Sequence, residues 1–199
     1  GDEVRDIRFF RYKMLDFQGK QFVVARSGYS RQGGFEIYVD GWENGMPLWN
    51  ALMAVGAGLG VMPYGTECLH ILRAEKGFIM IGDETDGTVI PQDLGLHWAI
   101  SKKKDDFIGK RGQQRSHMVD PTRWQLVGLE TVDGSTLPDG AYAAAEGTNA
   151  NGQRETQGRV TSTYHSPNLE RGIAMGLVLN GPDRMGEVLT FPGTDGKEY

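Results

Sequence analysis

Tyr29 and Glu36 stand seven positions apart around the polar stretch Arg26-Ser27-Gly28-Tyr29-Ser30-Arg31-Gln32-Gly33-Gly34-Phe35-Glu36-Ile37-Tyr38-Val39. An aromatic ring and a carboxylate at that separation can serve one pocket, the ring as a stacking surface and the carboxylate as a hydrogen-bond acceptor. Gly28, Gly33 and Gly34 allow a tight turn and close approach of a ligand to the backbone. A solvated β-hairpin bearing an unremarkable Glu fits the same spacing. Other chemistry is sparse. The sequence contains no P-loop, dinucleotide glycine motif, zinc spacing or Gly-x-Ser-x-Gly elbow. His70, His97, His117 and His165 are not at paired ligand spacings. Asp83, Glu84 and Asp86 invite a calcium reading but lack the ordered spacing of a calcium loop, so no metal is expected. Cys68, the single cysteine, is expected to be a buried, inert thiol.

These residues need elements to hold them. Gln21–Arg26 is a short apolar strand leading into the turn, and Phe35–Val39 is its partner. Period two puts Glu36 and Tyr38 on the face opposite Phe35, Ile37 and Val39. Ile7–Tyr12 reads as a further strand and Lys13–Gln21 as a turn around Gly19. Leu48, Trp49, Leu52 and Met53 repeat at helical spacing within Trp42–Val55 and are expected in the core. A second helix opens at Thr66, the expected N-cap, and stops at Gly77. Phe78–Ile81 and Leu94–Ile100 read as strands. Ser101–Arg111 is a charged loop whose Phe107 plugs the core. Its basic cluster offers a contact for polyanions or an acidic partner face.

The texture changes near His117–Thr122. Beyond it, Trp124–Glu130, Ala141–Ala145, Gly158–Thr163, Ile173–Leu179 and Glu187–Phe191 are short strands separated by turn residues, the pattern of a small β-barrel or sandwich. The whole is 199 residues with 39% hydrophobic residues, 29 glycines and a net charge of -5. That composition describes a globular α+β chain with a real core. It argues against a nucleic-acid binder. No run reaches the length of a membrane span, and the lone cysteine suits a reducing, cytoplasmic setting.

The opening stretch resembles the Gly-Tyr-Thr-Gly-Glu-x-Gly-Phe-Glu-Ile segment of the glycine-cleavage T-protein family, the tetrahydrofolate-dependent aminomethyltransferases and demethylases. Pro63–Asp86 is similar to the helix and turn of the folate domain in the sarcosine oxidase alpha subunit. Gly95–Arg111 is similar to the family's Gly-Leu-x-Trp … Lys-x-Asp-Phe-x-Gly-Lys pattern. Leu126–Leu129, Gly158–Ser162 and Ile173–Gly176 resemble its C-terminal barrel. Phe9–Tyr12 and Ser30–Gly34 also resemble dimethylsulfoniopropionate demethylases.

The resemblance implies the second half of a folate-binding aminomethyltransferase-like domain over residues 1–117, followed by a β-barrel domain over 118–199, as a C-terminal fragment of a longer protein. It implies tetrahydrofolate as cofactor, with Glu36 as the pterin-binding carboxylate and Tyr29 and Trp98 as aromatic pocket residues. The implied reaction is one-carbon (methyl or aminomethyl) transfer, as in the folate domain of sarcosine-oxidase-like proteins, with a methylamine or methyl-sulfonium substrate and flavin-bearing subunits as partners. The alternatives are a dimethylsulfoniopropionate-type demethylase or a non-catalytic interaction module of a larger oxidase. The family's catalytic aspartate is expected upstream of Gly1. Leu69 stands where amine-handling members place an arginine, and no arginine follows Arg184. Both departures turn the expectation away from glycine cleavage.

Overall fold

The computed structural model describes residues 2–199, which form two compact units, one ending at Lys76 and the other beginning at Gly77. The first carries a short helix α1 (Asp2–Arg5), strands β1 (Tyr12–Phe17), β2 (Lys20–Ala25) and β3 (Glu36–Tyr38), and helices α2 (Gly45–Gly56) and α3 (Thr66–Glu75). The strands form an antiparallel sheet in the order β1-β2-β3.

Lys13–Gln21, expected as a turn, is most of a hairpin. Phe17 pairs with Lys20, leaving a two-residue turn at Gln18 and Gly19, both with positive φ (54° and 78°). That is the turn whose twist matches its flanking strands. Asp16 Oδ1 accepts from the Gly19 N–H at 3.2 Å and reinforces it. The strand expected at Ile7–Tyr12 is instead a bend. Phe10 has φ 57° and the Arg11 N–H donates to Arg8 O, so regular strand geometry starts at Tyr12, although the Phe10 N–H still donates to Arg26 O and Arg11 O accepts from the Arg26 N–H. Phe22 and Val24 are buried on the inner face of the sheet, with the Phe17 ring 6.1 Å from that of Phe22.

The helical stripe does not form a core. Trp49 and Leu52 are each about half exposed (50% and 49%). Apolar residues surround α2 on all sides, so a single packed face leaves many of them outside. Helix α3 begins after Gly65, which occupies the N-cap position in place of Thr66; Thr66 makes no capping hydrogen bond. Gly77 follows the helix with φ 69°, the left-handed stop its position implied. Packing along α3 starts at Leu69 and is complete at Arg73 and Ala74, so Cys68 in the first turn is exposed rather than buried.

The second unit is a four-stranded antiparallel sheet, β4 (Trp124–Glu130), β5 (Tyr142–Ala144), β6 (Thr156–Ser166) and β7 (Arg171–Leu179), in the order β4-β7-β6-β5. Strand β7 is buried from Gly172 through Val178. It lies between two neighbours and is covered on both faces, which is why its sequence is a continuous apolar run. Leu137, Ala143, Val160, Ala174 and Phe191 form the core, with Leu129, Ala141, Leu189 and Tyr199 against it. The C-terminal residues extend the sheet by single bridges, Ala144 to Thr190 and Pro192 to Glu198, rather than by the strand expected at Glu187–Phe191. The strand expected at Leu94–Ile100 is a pair of 3-10 turns, Pro91–Leu94 and His97–Ala99. Pro91 starts the first turn, and Asp93 Oδ2 accepts from the Ile90 N–H at 3.0 Å. In place of the strand expected at Phe78–Ile81, Ile81 makes an isolated bridge to Thr85. Phe107 is half-buried, while its neighbour Ile108 is fully exposed.

Five carboxylates of this unit are held below their ordinary range, each chiefly by a donated hydrogen bond. The donors are the Thr88 hydroxyl for Asp86, the Thr122 hydroxyl for Asp120, the Ser135 side chain for Asp133, the Arg184 guanidinium for Glu187 and the Lys197 backbone for Asp195. A carboxylate with a depressed folded pKa adds stability above its unfolded value, about 4, and that contribution disappears as pH falls through the folded value. The melting temperature of the chain is therefore expected to be level from neutral pH to about pH 5 and to fall below about pH 4. Thermal unfolding followed by circular dichroism across that range tests this. An unchanged melting temperature at pH 3 would refute it.

Candidate functional site

Ala25 pairs with Glu36 and Val23 with Tyr38, while Tyr12 and Met14 stand opposite the same two β2 residues. One face of the first sheet therefore carries Tyr12, Met14, Glu36 and Tyr38, as period two requires. Tyr12, Met14 and Tyr38 are between half and two-thirds exposed. Glu36 is partly buried among them.

Its orientation is fixed through one oxygen. Glu36 Oε2 accepts from Ser27 Oγ at 2.5 Å and from the Tyr38 hydroxyl at 3.0 Å. Among the described residues nothing donates to Oε1. The carboxylate thus has a positioned oxygen and an available one, set on a face that is otherwise aromatic and apolar. The hydrogen bond to Glu36, helped by the negative charge, holds the Tyr38 phenol above its ordinary value. Tyr38 therefore stays a proton donor to Glu36 throughout the neutral range.

Tyr29 sits second in a turn closed by the Arg31 N–H donating to Gly28 O at 3.3 Å, and it is partly buried. Gly33 and Gly34 both have positive φ (80° and 97°), with open space where a Cβ would stand. The loop returns to β3 through two residues that only glycine adopts readily. Trp98 belongs to the second unit, in the turn His97–Ala99, and is 72% exposed. Its ring is not a core element.

Sequence reasoning missed Ser27 and the Tyr38 hydroxyl as the partners of Glu36. The signal was present: antiparallel pairing of Ala25 with Glu36 brings the chain just past Ala25 alongside the Glu36 side chain. It also missed where the acidic turn points. Glu84 is fully buried. Its Oε1 takes the Ser162 hydroxyl in a short hydrogen bond and lies 2.9 Å from Thr161 Oγ1, while Oε2 accepts the Met80 N–H at 2.7 Å. Asp86 accepts from Thr88 and pairs with Arg159 at 3.0 Å. These oxygens are occupied by protein donors. Among the described residues no group of three His, Cys, Asp or Glu side chains is arranged to hold a metal ion, and no helix is long and apolar enough to cross a membrane.

The GCVT N-terminal domain family matches residues 2–104, and the glycine cleavage T-protein C-terminal barrel domain matches residues 125–199. The sarcosine oxidase subunit alpha of Corynebacterium sp. (strain U-96) is 40% identical over 195 residues, covering 94% of this chain and 20% of the subunit. The dimethylsulfoniopropionate demethylase of Ruegeria pomeroyi is 42% identical over 181 residues, covering 89% of this chain and 46% of the demethylase. The crystal structure of the glycine cleavage system aminomethyltransferase T from Bartonella henselae superposes with a TM-score of 0.78 at 25% identity, over 98% of this chain and 50% of that one. The chain thus spans half or less of the length of each of these relatives. With both halves of its length matched in the family's own order, and with a mixed helix-and-sheet unit followed by a small antiparallel barrel-like one, the chain belongs to the glycine-cleavage T-protein family.

Proposed function

We propose that this chain supplies the Glu36-bearing part of a tetrahydrofolate site in a protein that transfers one-carbon units. In this reading the folate-binding part runs through residues 1–117 and the barrel occupies 118–199. The observation that carries it is the geometry of Glu36. One oxygen is locked by Ser27 and Tyr38, and the other is available beside an aromatic sheet face.

An aminopyrimidine edge presents adjacent N–H groups that a carboxylate can accept. Tyr29 provides a stacking surface for a flat ring. Tetrahydrofolate, when bound, supplies the nitrogen that accepts the one-carbon unit. The chain's residues bind it, orient it and limit the access of water. Proton transfer is assigned to a carboxylate outside residues 1–199. Substrates of two kinds fit the relatives' names, a methylated amine such as sarcosine and a methyl-sulfonium such as dimethylsulfoniopropionate. The first kind would come with flavin-bearing subunits.

A second reading, an interaction module without catalysis, draws on the exposed apolar residues of the first unit, among them Trp42 (93% exposed), Trp49 and Leu52.

The test uses the longer protein that contains this chain. Glu36→Gln is expected to weaken tetrahydrofolate binding by about tenfold to a hundredfold, the scale of a lost charge-assisted hydrogen bond. Ser27→Ala is expected to weaken it by only a few-fold, since the carboxylate remains but loses its anchor. Fluorescence quenching titrations read both. Saturable binding with the same affinity in Glu36→Gln and wild type would overturn the site assignment. No folate binding at full length, combined with concentration-dependent association through the first unit, would favour the interaction module.

A further inference from the structure

The second unit contains a cavity of about 370 Å³, within the size range of small-molecule sites. Its floor is set by strand register. Tyr142 pairs with Arg159, and Arg159 pairs with Leu177, so three adjacent strands place a phenol, a guanidinium and an apolar side chain in one row on one face. Trp124 stands two residues before Leu126, the β4 partner of Leu177, and so joins the same face. The opposite wall is the segment from Asp86 to Asp93.

The wall is held at both ends. Asp86 pairs with Arg159 at one end. At the other, Arg123 grips Asp93 through two hydrogen bonds of 2.8 and 2.6 Å and also donates to Thr88 O and His117 O.

The hydrogen-bonding capacity of the cavity is one-sided. Asp86 Oδ1 takes both donors of Thr88, and Oδ2 takes Arg159. Both oxygens of Asp93 are used by Arg123, and Oδ2 also by the Ile90 N–H. Arg123 has each of its nitrogens engaged. Arg159, by contrast, uses only Nη2. Among the described residues its Nε and Nη1, the Tyr142 hydroxyl and the Trp124 indole N–H have no hydrogen-bond partner. The polar side-chain groups left without any partner can all donate, and the surfaces between them are aromatic or aliphatic.

The geometry points to a binding site for a small monocarboxylate with an apolar body, its carboxylate on Arg159 and Tyr142 and its hydrocarbon against Leu177 and Trp124. The spare donors favour a carboxylate acceptor, and the cancelling charges of two arginines and two aspartates limit it to a single negative charge, since a phosphate dianion would bring a second one with no cation left unpaired. This site lies outside the Glu36 sheet face and does not rest on the folate reading.

The experiment is a titration of the full chain with 4-methylpentanoate. Binding is followed by the indole N–H resonance of Trp124 in proton–nitrogen correlation spectra, assigned from its loss in Trp124→Phe. The neutral isostere 4-methylpentanamide and inorganic phosphate are titrated in parallel. A saturable shift of the Trp124 signal is expected, with a Kd of about 1 mM. Arg159→Gln should weaken it about tenfold or more and Tyr142→Phe about threefold, with no saturable shift from the amide or from phosphate. The other indole resonances staying in place in each variant confirms that the fold is kept. Arg159→Lys, which retains the pair with Asp86, serves if Arg159→Gln unfolds, and it should also bind more weakly. The proposal is overturned by no saturable shift up to about 100 mM, by equal binding of the amide, by tighter binding of phosphate, or by wild-type affinity in the folded Arg159 variant.

Discussion

Replacing Glu84 with alanine is expected to destabilise the second unit by about 3 kcal/mol, lowering its melting temperature by about 10 °C. Glu84 is completely buried and gathers the Met80 N–H, the Ser162 hydroxyl and the Thr161 hydroxyl on two oxygens. The hydroxyls can turn to other acceptors. Thr161 Oγ1 is already 3.1 Å from Met175 O and has one proton to share between the two. The Met80 N–H cannot turn and is partly buried, and leaving a buried donor without a partner costs about 1–3 kcal/mol, to which the loss of the completely buried Glu84 side chain adds. Glu84→Gln is the informative companion. Its amide keeps one acceptor oxygen but must direct an NH₂ at either Met80 N–H or the hydroxyls, so it should recover only part of the loss. Urea unfolding of the three proteins measures this, and a Glu84→Ala variant with wild-type stability would rule it out. Because Glu84 joins the acidic turn to β6, the same variant should loosen the segment leading to Asp86. Hydrogen exchange at Thr85–Val89 would report it.

The second large effect is expected at Gly172. A Cβ there would stand 2.0 Å from Ser135 O and 2.9 Å from the Thr136 Cα, all of it backbone. That backbone has little room to retreat. The Gly172 N–H donates to Gly134 O at 2.8 Å, Thr131 Oγ1 to Ser135 O at 2.5 Å and Arg171 Nη2 to Thr131 O at 2.5 Å. Gly172→Ala must therefore break part of this clamp or displace β7 from its neighbours, at a cost of about 3 kcal/mol or more. Gly128 in β4 is the control. It has no atom within 4 Å of its Cβ position, and its strand is in the same sheet. Gly128→Ala should change stability by less than about 1 kcal/mol, in either direction. Equal effects from the two substitutions would show that strand propensity, not close approach, governs both sites.

Much of the architecture could be read from local pattern. The short apolar runs at Trp124–Glu130 and Ile173–Leu179 read as strands and are β4 and β7, and the chain stopped being helical at Gly77 where a left-handed residue was required. Period two placed Glu36 and Tyr38 on a common face before any pairing was known. The failures share a cause. Leu94–Ile100 has the composition of a strand, but Pro91 and the Asp93 hydrogen bond to Ile90 start a tight turn instead. Leu48, Trp49, Leu52 and Met53 have the spacing of a core stripe, yet burial depends on what lies opposite, which spacing along one helix does not encode. Cys68 has the composition of a buried residue but falls in a helical turn that nothing covers.

The candidate sites divide in the same way. Family membership, the two-part order of the chain and the candidacy of Tyr29, Glu36 and Trp98 all follow from residues close together in sequence, because turn geometry and side-chain alternation are local. The locking of Glu36 by Ser27 and Tyr38, the burial of Glu84 against Thr161 and Ser162, and the row of Tyr142, Arg159 and Leu177 depend on strand register. Register is set by which side chains the whole sheet can bury together. The partners of Glu84 are 77 and 78 residues away, and no local rule reaches that far.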